Sequence, residues 1–163
     1  MKKNKTLLLT NFVFAAVFIL LLFADRVTKN LAAQHLMKAD VPVINNILVL
    51  HYLENRGAAW GLFQNAFWMF YIITILVLIA MVYYYVRLPF TRHYWYMRCS
   101  ILLIAAGAIG NFIDRAIWHY VVDFIYIQCI NFPVFNVADC YVCIGAVLLI
   151  YGLLFYYKND KIL

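Results

Sequence analysis

Long apolar runs alternate with short polar segments along this chain of 163 residues. A helix needs about 20 predominantly apolar residues to cross the hydrocarbon core of a bilayer. The third run is uncharged only over residues 100–113, so it needs residues 95–98 to complete a crossing, with Arg98 reaching the lipid headgroups and Trp95 anchored beside them. The pattern predicts four membrane-spanning helices, at about residues 7–24, 66–87, 95–113 and 137–157.

The composition indicates one integral membrane domain over residues 1–163. Hydrophobic residues make up 67% of the chain and charged residues 12%, whereas a soluble domain is about 25% charged. This excludes an ordinary soluble domain, a disordered chain and a solenoid. The net charge is +6, but the basic residues lie beside apolar runs. Anionic lipid is therefore the expected counter-charge, and nucleic acid is not an expected partner.

The basic residues near the span ends predict the orientation. Eight lie on the side that holds both termini, and five lie on the other side: Lys2, Lys3, Lys5, Arg87, Arg92, Arg98, Lys158 and Lys161 against Arg26, Lys29, Lys38, Arg56 and Arg115. Lysine and arginine are enriched in cytoplasmic loops, so both termini are expected in the cytoplasm. No Ala-x-Ala cleavage site precedes Asp25, so the first span is expected to be retained rather than removed as a signal peptide.

The first outer loop is expected to have structure of its own. Residues 25–37 can continue the first helix, and residues 41–54 are rich in Val, Ile and Leu. Asn45-Asn46 is a turn signal between two apolar stretches. The loop therefore predicts a small β-hairpin or sheet at the membrane surface.

Four of the seven acidic residues lie at the predicted outer boundary: Asp25, Asp114, Asp123 and Asp139. Ionisable groups near hydrocarbon are costly and indicate function. Structural roles compete with that interpretation, because Asp25 and Asp114 have basic neighbours that can pair with them, Asp114 with the adjacent arginine. Asp139 stands three residues after Asn136, as N3 follows a helix N-cap. Asp123 has no cation within four residues, so a strand position facing a polar cleft is its natural explanation.

Two carboxyl groups that meet in a cleft with little water can catalyse the hydrolysis of an amide bond. Like charges at close range do not both ionise easily, so the pair shares one proton. The ionised member draws a proton from water while the protonated member donates to a carbonyl oxygen. Spacing alone leaves open which two of the four acids meet.

Other chemistries have weaker support. Ser100 is the only serine and lies within the third predicted span, and the four histidines show no companion spacing. Cys140-x-x-Cys143 lacks the second ligand pair that a metal site needs. The four cysteines are expected to be free thiols in the core, and no metal is expected: Cys99, Cys129, Cys140 and Cys143.

Five polar islands occur in order between the spans. They are Asp25-Arg26-Val27-Thr28-Lys29, Asn55-Arg56-Gly57-Ala58-Ala59-Trp60-Gly61, Gly107-Ala108-Ile109-Gly110-Asn111-Phe112-Ile113-Asp114-Arg115, Val121-Val122-Asp123-Phe124 and Phe135-Asn136-Val137-Ala138-Asp139. The series resembles the lipoprotein signal peptidases (signal peptidase II), the membrane aspartyl peptidases of bacteria. The resemblance covers nearly the whole chain in order, spacing and span count.

This resemblance implies a fold and a site. The fold would be an all-α membrane protein with four transmembrane helices and a small extracytoplasmic β-cradle in the first loop. Asp123 and Asp139 would be the catalytic dyad. Five residues would line the site or position substrate, and three would hold its frame: Asn55, Gly57, Asn111, Arg115 and Asn136, then Asp25, Lys29 and Asp114.

The resemblance also implies the substrate and the location. The enzyme would be a monomer in the bacterial cytoplasmic membrane, with its site at the outer face and no cofactor. It would cut diacylglyceryl-modified prolipoproteins just before the modified cysteine, among membrane lipids. Two positions depart from the family pattern, because Arg26 stands where Gln is expected and Cys140 where Ser is usual.

A small proton-coupled transporter is the alternative function. Intramembrane Asp residues are typical of such proteins too. Their acids lie near the bilayer midplane, often within inverted repeats. Here the acids gather at one boundary and no repeat is visible, which favours the peptidase.

Overall fold

The computed structural model describes residues 2–57, 63, 66–158 and 160. It contains four long helices and three strands: α1 (Lys2–His35), β1 (Val41–Ile44), β2 (Leu48–Asn55), α2 (Phe67–Arg87), α3 (Trp95–Trp118), β3 (Val121–Ile127) and α4 (Val137–Tyr151). A short π-helical segment, Gly152–Tyr156, extends α4. Among the described residues, four helices are long and apolar enough to cross a membrane. Residues 58–61 of the second polar island and Lys161 lie outside the described residues.

Two helices continue past the apolar runs that predicted them. The run ends at Ala24, but α1 continues unbroken to His35. The third run ends at Ile113, but α3 continues to Trp118 and stops at His119, whose φ of 60° is left-handed. Hydropathy indicates where the lipid-facing part of a helix ends. The helix itself can continue further, because its polar side chains bind partners on neighbouring helices. Asp25 and Asp114, which follow the predicted spans, therefore lie within α1 and α3.

The strands form one antiparallel sheet in the order β1-β2-β3. The first two strands are the hairpin predicted for the first loop, and Asn46 turns the chain there with a φ of 59°. The third strand comes from the loop between α3 and α4 and pairs along β2. Val122 and Phe124 of this strand are buried against Ala32 of α1 and against Leu36, the residue that follows this helix. The sheet thus sits at the C-terminal end of α1, which we call the sheet end of the molecule.

Helix α3 is central and packs against α1, α2 and α4. Two of its glycines allow this close approach. A Cβ at Gly107 would clash with the Ala138 carbonyl oxygen of α4, and one at Gly110 would lie 2.6 Å from Asp25 Oδ2 of α1. Side chains larger than hydrogen would push these helices apart, so the two glycines set how closely α1 and α4 approach α3.

At the opposite end, which we call the loop end, residues 88–94 connect α2 to α3. Arg98 is buried there with 2% of its surface exposed. It donates from Nη2 to the Leu88 carbonyl at 2.7 Å and lies over the rings of Tyr85 and Phe90. The prediction that Arg98 reaches the headgroups is therefore wrong, because a backbone carbonyl and two aromatic faces offer its guanidinium a partner inside the protein.

The cysteines also differ from the expectation. All four are free, as predicted, but they are not core residues. Three are exposed on the protein surface and one is partly exposed: Cys99, Cys129 and Cys143, then Cys140. In a protein surrounded by lipid, an apolar side chain gains little from facing inward, so burial statistics from soluble proteins mislead here.

Candidate active site

Two of the four boundary acids face the same cavity. Asp123 of β3 and Asp139 of α4 both line a space of about 620 Å³ between α2, α3, α4 and the sheet. Asp25 and Asp114 do not line it. Three more of the predicted site residues are on its walls: Asn55, Asn111 and Arg115.

Asp139 is held by the start of its own helix. Asn136 is the N-cap of α4, and its side chain accepts from the Asp139 backbone N–H at 3.0 Å. The Asp139 carboxylate accepts in return from the Asn136 backbone N–H at 3.0 Å, which completes a capping box. Its other oxygen accepts from Asn111 Nδ2 at 2.7 Å. This carboxylate therefore has three local sources of positive potential, two N–H donors and the helix N-terminus.

Asp123 is held by amide donors from two other elements. Asn55 of β2 donates to its Oδ2 at 2.8 Å, and Asn136 donates to its Oδ1 at 2.6 Å. The side chain is almost fully buried. Burial, together with the charge of Asp139, raises the pKa of Asp123 to about 7, although the two amide hydrogen bonds act to lower it. At neutral pH this carboxyl therefore carries a proton for much of the time.

Asn111 connects the Asp139 carboxylate to the buried Lys29. Lys29 Nζ donates to Asn111 Oδ1 at 2.9 Å, and Asn136 Nδ2 donates to the same oxygen at 3.1 Å. An ammonium group only donates hydrogen bonds, so the amide oxygen must face Lys29. The amide nitrogen of Asn111 then faces Asp139. The lysine thus determines which way this amide points.

The remaining two acids form an ion-pair network behind the cavity. Lys29 lies 3.0 Å from Asp25 and 2.9 Å from Asp114, and Arg26 lies 2.8 Å from Asp114. The predicted pairing of Asp114 with the adjacent Arg115 is wrong, because neighbours on a helix point in different directions. Asp25 also accepts from the Ala138 N–H at 3.1 Å, which ties α1 to the first turn of α4.

Arg115 connects the cavity wall to the end of β2. It donates to the Gly57 carbonyl at 3.1 Å, and the Gly57 N–H donates to Asn55 Oδ1 at 2.9 Å. Its guanidinium also lies 4.5 Å from the centre of the Phe70 ring. These contacts orient Asn55, whose amide nitrogen is the group that reaches Asp123.

Sequence reasoning missed the apolar lining of the cavity. Apart from Thr74, these residues are apolar, and they come from α2, α3, the loop before α4 and α4 itself: Phe70, Thr74, Ala108, Phe132, Pro133, Val134, Phe135, Val142 and Cys143. Their residue types carry no signal in the sequence, because apolar residues are common throughout this chain. The cavity therefore combines a polar end at the carboxylates with walls that suit an apolar ligand.

The arrangement is suited to hydrolysis. One carboxyl holds a proton near neutral pH, its partner is surrounded by donors, and neutral amides join the two without adding charge. Within the described part of the chain, no three side chains of His, Cys, Asp or Glu gather as a metal-ligand set.

Comparisons with known proteins agree with one another. The family model described as signal peptidase (SPase) II matches residues 17–155. A lipoprotein signal peptidase of Bacillus velezensis is 41% identical over 143 residues, which cover 86% of this chain and 91% of that protein. Two solved structures of a bacterial membrane enzyme, determined by the in meso method, are each 35% identical and cover 91% of this chain. Their TM-scores are 0.76 and 0.75, with 91% and 94% of those chains covered.

Proposed function

Because this chain belongs to the signal peptidase II family, the membrane peptidases that remove signal peptides from prolipoproteins, we propose that Asp123 and Asp139 are its catalytic dyad. The observation that carries the proposal is that these two acids, and neither Asp25 nor Asp114, line the same cavity. The proposal includes the cut just before the diacylglyceryl-modified cysteine.

Asp139 acts as the base and Asp123 as the acid. Asp139 takes a proton from a water molecule, whose oxygen attacks the scissile carbonyl carbon. Asp123 gives its proton to the carbonyl oxygen, which produces a neutral tetrahedral intermediate. When the intermediate collapses, Asp139 passes the proton to the leaving amine and Asp123 recovers its own. The donors around Asp139 and the raised pKa of Asp123, about 7, support this division of roles.

The asparagines keep the two carboxyl groups in register. Asn136 contacts both aspartates, through its backbone N–H to Asp139 and its side chain to Asp123. Asn111 supports Asp139, and Lys29 keeps its amide oriented. A further formal charge would be costly in a site with little water, and amides supply hydrogen bonds without adding one.

The cavity walls support a lipid-modified substrate. Phe70 and Val142 line the cavity beside the carboxylates, so a peptide bond can reach the dyad while attached acyl chains stay in apolar surroundings. The sheet and the Asn55–Gly57 turn would hold the peptide on the other side. The active site would then lie at the outer face of the bacterial inner membrane, with both termini in the cytoplasm, which the distribution of basic residues supports.

Incubation of the purified protein with two precursor peptides tests the proposal. One peptide carries the diacylglyceryl group on its cysteine, and the other is identical but unlipidated. We expect cleavage of the lipidated peptide only, with a new N-terminus at the modified cysteine. Equal cleavage of both peptides, or a cut at another bond, would contradict the proposed substrate. The proton-coupled transporter has no support from the comparisons.

A further inference from the structure

We infer that Cys140 and Cys143 make the substrate cavity a covalent modification site for soft electrophiles that dissolve in the membrane. The inference rests on the proposed function, because it assumes that the cavity with Asp123 and Asp139 is where substrate binds. It adds a site and a ligand class, namely α,β-unsaturated carbonyl compounds such as maleimides.

Both thiols lie on the wall of the cavity that holds the two carboxylates. Cys140 directly follows Asp139 in α4, and Cys143 lies almost one turn further along the same helix. Both are free, Cys140 partly exposed and Cys143 exposed. Residues three apart lie on the same face of a helix, so the two thiols form a short row from the polar end of the cavity along its apolar wall.

The other two cysteines provide a contrast within the same chain. Cys99 and Cys129 are also free and exposed, but neither lines the cavity. Solvent exposure therefore does not distinguish these two cysteines from Cys140 and Cys143, but their position outside the cavity does. Modification of Cys99 or Cys129 should leave the cavity open.

The chemistry needs no additional reactant. The thiolate sulfur attacks the β-carbon of the unsaturated carbonyl compound, a carbon–sulfur bond forms, and the carbon–carbon double bond becomes single. The proton that leaves the thiol ends on the α-carbon, so the product is a stable thioether. Because the thiolate is the nucleophile, the reaction is fastest where the thiol is exposed and no negative charge lies beside it. Cys143 is exposed, whereas Cys140 is only partly exposed and adjoins Asp139, so Cys143 should react first.

An adduct should inhibit by filling space. A group on Cys140 lies beside Asp139, where the scissile bond and the attacking water must meet. A group on Cys143 fills the part of the wall shared with Val142 and Phe70, where an apolar part of the substrate would pack. Inhibition should therefore increase with the size of the adduct at both positions.

The test uses the full-length chain with Cys99→Ser and Cys129→Ser, so that only the cavity thiols remain. The protein is treated with N-ethylmaleimide, with a bulkier N-aryl maleimide, or with methyl methanethiosulfonate, which adds only S–CH₃. Mass spectrometry counts the adducts, and cleavage of the lipidated precursor is compared with the same variant untreated. We expect at least a tenfold loss with the maleimides, a smaller loss with the methylthio group, and slower labelling when precursor is present.

Two further variants locate the effect. Cys140→Ser and Cys143→Ser are made separately in the same background, and each is compared with its own untreated rate. We expect each to retain partial sensitivity and the variant without any cysteine to lose it. An undiminished rate in protein whose two thiols are both alkylated would overturn the inference, and so would the absence of adducts. If the untreated protein does not cleave the precursor, it is the proposed function that fails.

Discussion

The two ends of the helix bundle bury charge in different ways. At the sheet end, Asp25, Lys29 and Asp114 are buried together as an ion-pair network. At the loop end, Arg98 is buried among aromatic rings and a backbone carbonyl, and the structure records no carboxylate partner for it among the residues it describes. Burial of a charge is costly at either end.

The polar network at the sheet end reaches the two candidate catalytic aspartates. The polar contacts at the loop end only hold helices together. From Lys29, hydrogen bonds continue through Asn111 to Asp139 and through Asn136 to Asp123. At the loop end, the contacts stop at the connection between α2 and α3 and at Tyr157, which accepts from the Met97 N–H and donates to the His93 carbonyl. Substitutions at the sheet end should therefore change turnover, and substitutions at the loop end should change stability alone.

The largest effect is expected at the dyad. Asp123→Asn or Asp139→Asn keeps the size of the side chain but removes the titrating carboxyl, so turnover should fall by roughly 10²–10⁴-fold. The double variant should be hardly worse than either single variant, because the two groups act as a unit. Cleavage rate and folded yield are measured in parallel. A normally folded Asp123→Asn protein with substantial turnover would contradict the assignment.

Lys29→Met should have the next largest effect. It leaves the buried Asp25 without its cation and Asp114 with Arg26 alone, and breaking a buried ion pair costs about 3–5 kcal/mol of the free energy of unfolding. It also frees the Asn111 amide to rotate, so the protein that remains folded should turn over more slowly. Thermal unfolding in detergent and the rate per folded molecule measure the two effects. Lys38→Met, at an exposed position, is the matched control.

Arg98→Met tests the other half of the comparison. It removes a hydrogen bond from a charged donor, worth about 1.5–3 kcal/mol, together with the aromatic contacts of the guanidinium. The unfolding temperature should fall, but the rate per folded molecule should equal that of the unaltered protein. A lower rate in folded Arg98→Met protein would mean that the two ends are coupled.

Per pH unit, the smallest expected effect is the pH dependence of stability that Asp123 causes. Its pKa is raised from 3.8 to about 7 in the folded protein, so the folded state binds more protons than the unfolded state between these values. Stability should therefore fall as pH rises through this window, by at most about 1.4 kcal/mol per pH unit for one proton. Asp123→Asn should lack this part of the slope. Turnover should also decline above about pH 7, where Asp123 loses the proton that it donates.

The unfolding free energies of the unaltered protein and Asp123→Asn, measured from pH 5 to pH 8, check this prediction. Glu54→Gln is the control, because its carboxylate is partly exposed and pairs with the exposed Arg56. If the difference between Asp123→Asn and the unaltered protein stays constant over the whole range, the carboxyl does not titrate as expected.

Local sequence patterns determined the four spans, the hairpin and the helix cap. Each of these depends on neighbours a few residues apart: about 20 apolar residues for a span, a turn signal for the hairpin, and the spacing of Asn136 and Asp139 for the capping box. The placement of four acids at one boundary was also visible, because hydropathy and charge are read directly along the chain.

The spacing of residues left open which acids meet, and the tertiary structure decided it. Asp123 and Asp139 come together because β3 pairs with β2 and because Asn136 donates to both carboxyl groups. Asp114 pairs with Arg26 and Lys29 of α1 instead of its neighbour in sequence. No local pattern indicated that Arg98 is buried or that three of the cysteines are exposed. These contacts join residues far apart in the chain, and a side chain's direction depends on the neighbours that packing provides rather than on its own hydropathy.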